Sequence, residues 1–258
     1  MRQNTLFDFL GYPISHSGLN GDVTQALKLI NSGAKGAYMA CANPHSLVTA
    51  LKDDIFREAL LQADILVPDG IGIVISAKLL GLPIRERVAG SEFFNRLSEK
   101  AQQRGGIRYF FLGSTPDTLS LLADRLNRDF PDIYLCGVYS PPFKPVFSEQ
   151  DNIKMIQAVN AAKPDVLWVG MTAPKQEKWI YENRHRLEVP LSAAVGAVFD
   201  FYAGTKQRSS GLWISLGLEW LPRLLREPRR LWERNLKSTP VFMGLIAKEK
   251  LKAKSLKG

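Results

Sequence analysis

Short apolar runs recur along the chain, and between them apolar residues return every three or four positions. The runs at 36–41, 64–67, 108–112, 133–138, 165–169 and 191–195 are rich in aliphatic and aromatic residues and read as strands. The stretches between them are long enough for amphipathic helices. Strands alternating with helices predict an α/β fold on a mostly parallel sheet.

Several helix boundaries are marked by residue type. Thr115-Pro116-Asp117 supplies a capping hydroxyl, a proline suited to the first turn and an acid at the positive helix end. Ser148 and Asp151 have capping-box spacing before "NIKMIQAVNAA", and Lys163-Pro164 ends that helix before "DVLWVG". Glycines fall where strands end, at Gly70, Gly113, Gly137, Gly170 and Gly196. Open α/β sheets bind ligands beyond the carboxyl ends of their strands, so a small-molecule site is expected there. In "ADILVPDGIGIVIS" one carboxylate, Asp69, separates two apolar runs. It fits turn chemistry, a helix cap or a reactive group.

The 258 residues, 45% hydrophobic, allow one large or two modest globular domains. No run of about 18 apolar residues offers a bilayer span, and the N-terminus lacks a signal-peptide core, so a cytoplasmic protein is expected. Cys41 and Cys136 lie in strand-like runs and read as buried free thiols. The net charge of +9 is confined to one end. Residues 205–258 hold 13 Lys/Arg against 4 Asp/Glu, and the preceding 204 hold 21 of each sign. This predicts a neutral α/β domain over 1–204 and a basic appendage over 205–258 that meets something anionic. Within 212–236, Trp213, Leu216, Trp220, Leu224, Leu231 and Trp232 share apolar faces, with arginines outward and Pro222 and Pro228 dividing the stretch into short helices. Aromatics beside arginines suit a helix lying on a bilayer surface; a helical cap with a solvated basic face is the plainer reading.

The chemistry narrows by type. His16, His45 and His185 lack ligand spacing, and no Asp-x-Asp triplet or Gly-x-Ser-x-Gly elbow occurs. Phosphate handling then falls to arginines or backbone amides. Polar residues gather near predicted strand ends: Asn43, Asp69, Arg87, Gln176 and Asp200. Asn43 and Gln176 suit reading a base or sugar, Arg87 holding phosphate, and Asp69 or Asp200 general base catalysis. Turn and cap roles suit the same residue types.

Together the segments "CANPHSL", "ADILVPDGIGIVISAKLLGLPIRERVAGSEFF", "YFFLGS", "PDVLWVGMTAPKQEKWI", "VGAVFDFYAGTKQR" and "LGLEWLPRLLREPRRLWER" resemble, in order, the WecG/TagA/CpsF group of bacterial glycosyltransferases, glycosyltransferase family 26. The resemblance implies a Rossmann-like α/β domain with a C-terminal basic, amphipathic helical appendage at the inner face of the cell membrane. It implies an inverting transfer, without metal or cofactor, of a sugar such as N-acetylmannosamine. The donor would be a UDP-sugar and the acceptor a polyprenyl-diphosphate-linked saccharide, in cell-surface polysaccharide synthesis. Asp69 then matches the general base. Asn43, Arg87 and Gln176, with Gly113 and Asp200, fall in the donor pocket. Arg208, Arg223, Arg226 and Arg230 fall on the acceptor diphosphate and membrane.

The chain departs from the family's usual pattern at Cys41, where Thr is common, at Ser114 in place of Gly, at Ser209-Ser210 in place of Ala-Pro, and at "YSPPF". These positions bear on which sugars are used. A nucleic-acid-binding protein and a non-catalytic nucleotide-binding scaffold are the competing expectations; the resemblance implies no nucleic acid and leaves a homo-oligomer open.

Overall fold

The computed structural model describes residues 6–206 and 228–255. The described chain opens with an antiparallel hairpin, β1 (Leu6–Phe9) and β2 (Tyr12–Ser15), which has no counterpart among the predicted strands. Its two-residue turn, Leu10-Gly11, has positive φ at both positions, the geometry that matches strand twist.

After α1 (Gly18–Asn31) come β3 (Ala37–Ala42), α2 (Pro44–Ala50), α3 (Asp54–Leu61), β4 (Ile65–Pro68), α4 (Ile71–Leu80) and α5 (Gly90–Arg104). Then follow β5 (Arg108–Gly113), α6 (Pro116–Asp129), β6 (Tyr134–Tyr139), α7 (Glu149–Ala162), β7 (Val166–Gly170), α8 (Lys175–Asn183), β8 (Leu191–Ala194) and α9 (Val198–Ala203). Strands β3 to β8 lie within one residue of the predicted bounds. They form one parallel six-stranded sheet in the order β4-β3-β8-β7-β5-β6.

Alternate residues of each strand feed opposite cores. Tyr38, Ala40, Leu66, Leu112, Leu167 and Val169 meet α2, α3, α4, α7, α8 and the hairpin. Met39, Ile65, Val67, Phe111, Trp168 and Ala193 meet α1, α5, α6 and α9. Predicted caps hold: Thr115 accepts from Thr118 N–H, Ser148 and Asp151 form a capping box, and Lys163 ends α7 in the left-handed region.

Helix α10 (Pro228–Ser255) packs on α2 and α4. Phe242 and Ile246 are buried in the core below it, Phe242 stacks on Phe9, and Ser238 Oγ lies 2.7 Å from His45 Nδ1. Pro228 starts this 28-residue helix, which contains Pro240. Arg208, Arg223 and Arg226, with Trp213, Leu216, Trp220, Pro222 and Leu224, lie outside the described residues, as do the side chains of Arg230, Leu231 and Trp232. Among the described residues no helix is long and apolar enough to cross a membrane.

Candidate active site

A parallel sheet puts all its carboxyl ends on one edge, and the predicted site residues follow those ends. Ala42 at the end of β3 pairs with Pro68 at the end of β4, and Asp69 N–H donates to Ala42 C=O at 2.7 Å. This bond places Asp69 beside Asn43. Gly70, with φ +104°, is the N-cap of α4, so Asp69 itself is not the helix cap.

Asn43 caps α2. Its Oδ1 accepts Ser46 N–H at 2.9 Å, and Ser46 Oγ answers Asn43 N–H at 2.7 Å. A capping box therefore fixes the Asn43 side chain beside the β4–α4 turn.

Arg87 arrives from the loop before α5. Val88 N–H donates to Pro68 C=O at 2.9 Å, which ties that loop to the end of β4. The Arg87 guanidinium is held by Glu92 at 2.5 Å, and the other Glu92 oxygen accepts Ala89 N–H at 3.2 Å. One carboxylate thus fixes both the cation and the start of α5.

Gln176 is 3% exposed. Its Oε1 accepts Gly196 N–H at 3.0 Å and its Nε2 donates to Glu177 at 2.8 Å. The amide thereby joins α8 to the β8–α9 turn. Glu177, 2% exposed, is a buried carboxylate that the polar run "KQEK" disguises. A run with no apolar position looks like a solvated first turn, and no sequence signal betrays its burial.

Cys41 lies among these groups. Burial pushes its thiol well above the usual value, the charges of Asp69 and Glu177 push it further, and a bond from Gly90 opposes them. Cys41 is accordingly a neutral thiol, whose S–H donates to Ala194 C=O at 3.9 Å. Both cysteines are free and half-buried rather than fully buried. A Cβ on Gly90 would sit 3.6 Å from Cys41 Sγ, so the start of α5 closes directly over the β3 end.

Gly113 lies apart from this group. Gly113 ends β5, four strand positions from β4, or about 19 Å along the sheet. Its φ is +127°, and a Cβ there would fall 2.4 Å from Gly170 C=O. Asp200, in the first turn of α9, binds Lys206 Nζ at 2.7 Å.

The cleft is thus a carboxylate flanked by a fixed amide, a fixed guanidinium and the N-terminal ends of α2, α4 and α5. Helix N-termini and arginine favour phosphate, and a carboxylate can take a hydroxyl proton. The profile of the "Glycosyl transferase WecG/TagA/CpsF family" matches residues 7–256. The chain belongs to this family. As a WecG/TagA/CpsF member it is a glycosyltransferase. It is 33% identical over 220 residues to an N-acetylglucosaminyldiphosphoundecaprenol N-acetyl-beta-D-mannosaminyltransferase of Bacillus spizizenii, covering 85% of this chain and 82% of the relative. Proteins of the same name from Bacillus subtilis and Staphylococcus aureus are 30% identical over 220 residues and 27% identical over 248. The Staphylococcus aureus match covers 93% of this chain and 94% of the relative. The fold brings Asn43, Asp69 and Arg87 together at the ends of β3 and β4.

Proposed function

We propose that this glycosyltransferase moves an N-acetylmannosamine-type sugar from a UDP-sugar to a GlcNAc-diphospho-polyprenol, with Asp69 as general base. The observation that carries the reading is the position of Asp69: a carboxylate at the carboxyl end of β4, bonded through its backbone to the end of β3 and preceding a glycine-capped helix. The relatives' names supply the sugar and the acceptor.

The acceptor hydroxyl attacks the anomeric carbon as its proton passes to Asp69. The new C–O bond forms while the bond to the UDP oxygen breaks, and the configuration inverts. Arg87, fixed by Glu92, and the α4 and α5 N-termini stabilise the charge that develops on the departing diphosphate. Asn43 orients a sugar hydroxyl. Gln176 shapes the wall from behind through Gly196. Gly113 marks the far end of the cleft, where the extended donor would lie, and Asp200 sits on the helix that follows β8.

Residues 1–204 form the catalytic part and 205–258 the appendage in this reading. Arg208, Arg223, Arg226 and Arg230 meet the acceptor diphosphate, at the inner face of the membrane. A donor screen tests the function: full-length protein, a GlcNAc-diphospho-lipid and a panel of UDP-sugars, with UDP release measured. Release with UDP-N-acetylmannosamine above the other donors is expected. Release with none of the panel would refute the reading.

A further inference from the structure

Helix α4 is built inside out. Apart from Ser76 and Lys78 every residue of "IGIVISAKLL" is apolar or glycine. Ser76 is 2% exposed, whereas Ile75 is 53% and Leu79 46% exposed. Ile71, Ile75 and Leu79 recur four apart and so share one face, with the exposed Lys78 beside it. The face runs about 12 Å, at 1.5 Å per residue. It starts two residues after Asp69. The core explains Ile73 and Ala77, both fully buried, but it gives no reason for large aliphatics on the outer side.

Helix α10 packs against α4 and brings the exposed lysines Lys248, Lys250 and Lys252, with Glu249 the only acid among its described side chains. Exposed Val241 and Met243 add apolar surface on the same helix. An aliphatic face with a lysine beside it and a cationic helix packed on it fits the interface of an anionic bilayer, where methyl groups enter the acyl boundary and ammonium groups meet headgroups.

We infer that the Ile71-Ile75-Leu79 face of α4 is a membrane-docking surface for an anionic phospholipid bilayer, holding the Asp69 cleft at headgroup level. This rests on the lipid-linked acceptor proposed above. The sugar-diphosphate head of such an acceptor is short, and its hydrocarbon stays in the membrane. Its hydroxyl reaches Asp69 only if the bilayer lies against an element bordering the cleft, and of the bordering helices α4 carries the exposed aliphatic pair Ile75 and Leu79.

The test uses the full-length protein with Ile75→Ser and Leu79→Ser combined. Cosedimentation is measured with phosphatidylglycerol-containing vesicles and with pure phosphatidylcholine vesicles. UDP release is measured with a water-soluble, short-chain acceptor and with the polyprenyl acceptor in vesicles. The variant should lose about tenfold or more of its binding to anionic vesicles. Its activity on vesicle-borne acceptor should fall in parallel, while activity on the soluble acceptor is kept. A variant that binds vesicles like the wild type overturns the proposal. So does one whose only change is in sedimentation mass, which would make the face a contact between copies. Should the double variant fail to fold, Lys78→Glu, at an exposed position, must weaken binding to anionic vesicles alone; unchanged binding overturns the proposal equally. Vesicle binding needs neither donor nor acceptor, so its outcome stands apart from that of the transfer reaction.

Discussion

Gln176 Oε1 accepts the backbone N–H of Gly196 at 3.0 Å, so one buried side chain joins the start of α8 to the turn after β8. The two segments lie far apart in sequence terms but flank the same strand ends. A glycine-containing turn cannot hold its place by packing alone, and this amide fixes it.

Gln176→Leu keeps the volume but strands the Gly196 N–H and removes the donor to Glu177. Each buried group left unsatisfied costs about 1–3 kcal/mol. The urea midpoint should fall accordingly, and KM for the donor should rise as the turn loosens. An unchanged midpoint would show that Gln176 has no structural part.

Asp22 offers a pH test. It is fully buried in α1, accepts a bond from Ser15 Oγ and faces Glu86. Burial pushes its carboxyl up to about 7; the Ser15 bond opposes this and the Glu86 charge adds to it. The unfolded chain releases this proton near the ordinary value of 3.8. Between about pH 4 and 7 the folded chain therefore holds a proton the unfolded chain has lost, and stability falls as pH rises through that window. At about 1.4 kcal/mol per pK unit the loss is on the order of 4 kcal/mol. Asp22→Asn should remove it, matching the wild type near pH 4 and exceeding it at pH 8. Urea unfolding at both pH values measures the gap; parallel pH curves for the two proteins would contradict the assignment.

These cases show what the sequence disclosed and what it concealed. The six sheet strands were legible because each is a continuous apolar run, and all but the edge strand β6 are buried on both faces. Their ends carried Asn43, Asp69 and Arg87 in plain view. The β1–β2 hairpin was not legible, because Leu10 occupies a left-handed position where Gly or Asn would have announced the turn. Glu177 was hidden because burial of a polar residue leaves no periodic trace. Asn43 was open between turn and site, and it is a helix cap that also borders the site. The inverted face of α4 was read only as a second apolar run, since its outward side is set by the core it packs on.

Ser114 stands at φ +58°, just after β5, in the left-handed region that favours glycine. A non-glycine residue there costs roughly 1 kcal/mol. Ser114→Gly should therefore raise thermal stability by a few degrees. The Ser140 bond to the Ser114 carbonyl is a backbone contact that glycine preserves, so activity should be kept. Differential scanning calorimetry checks the shift, and a lower melting temperature would mean that the hydroxyl itself is needed.

The central claim is that Asp69 takes the proton of the acceptor hydroxyl. Asp69→Asn keeps the shape of the side chain and the backbone bond to Ala42 while abolishing the base. UDP release with the donor and a GlcNAc-diphospho-lipid should fall by about 10²-fold or more, with donor binding preserved. Release within about twofold of the wild type would contradict the account.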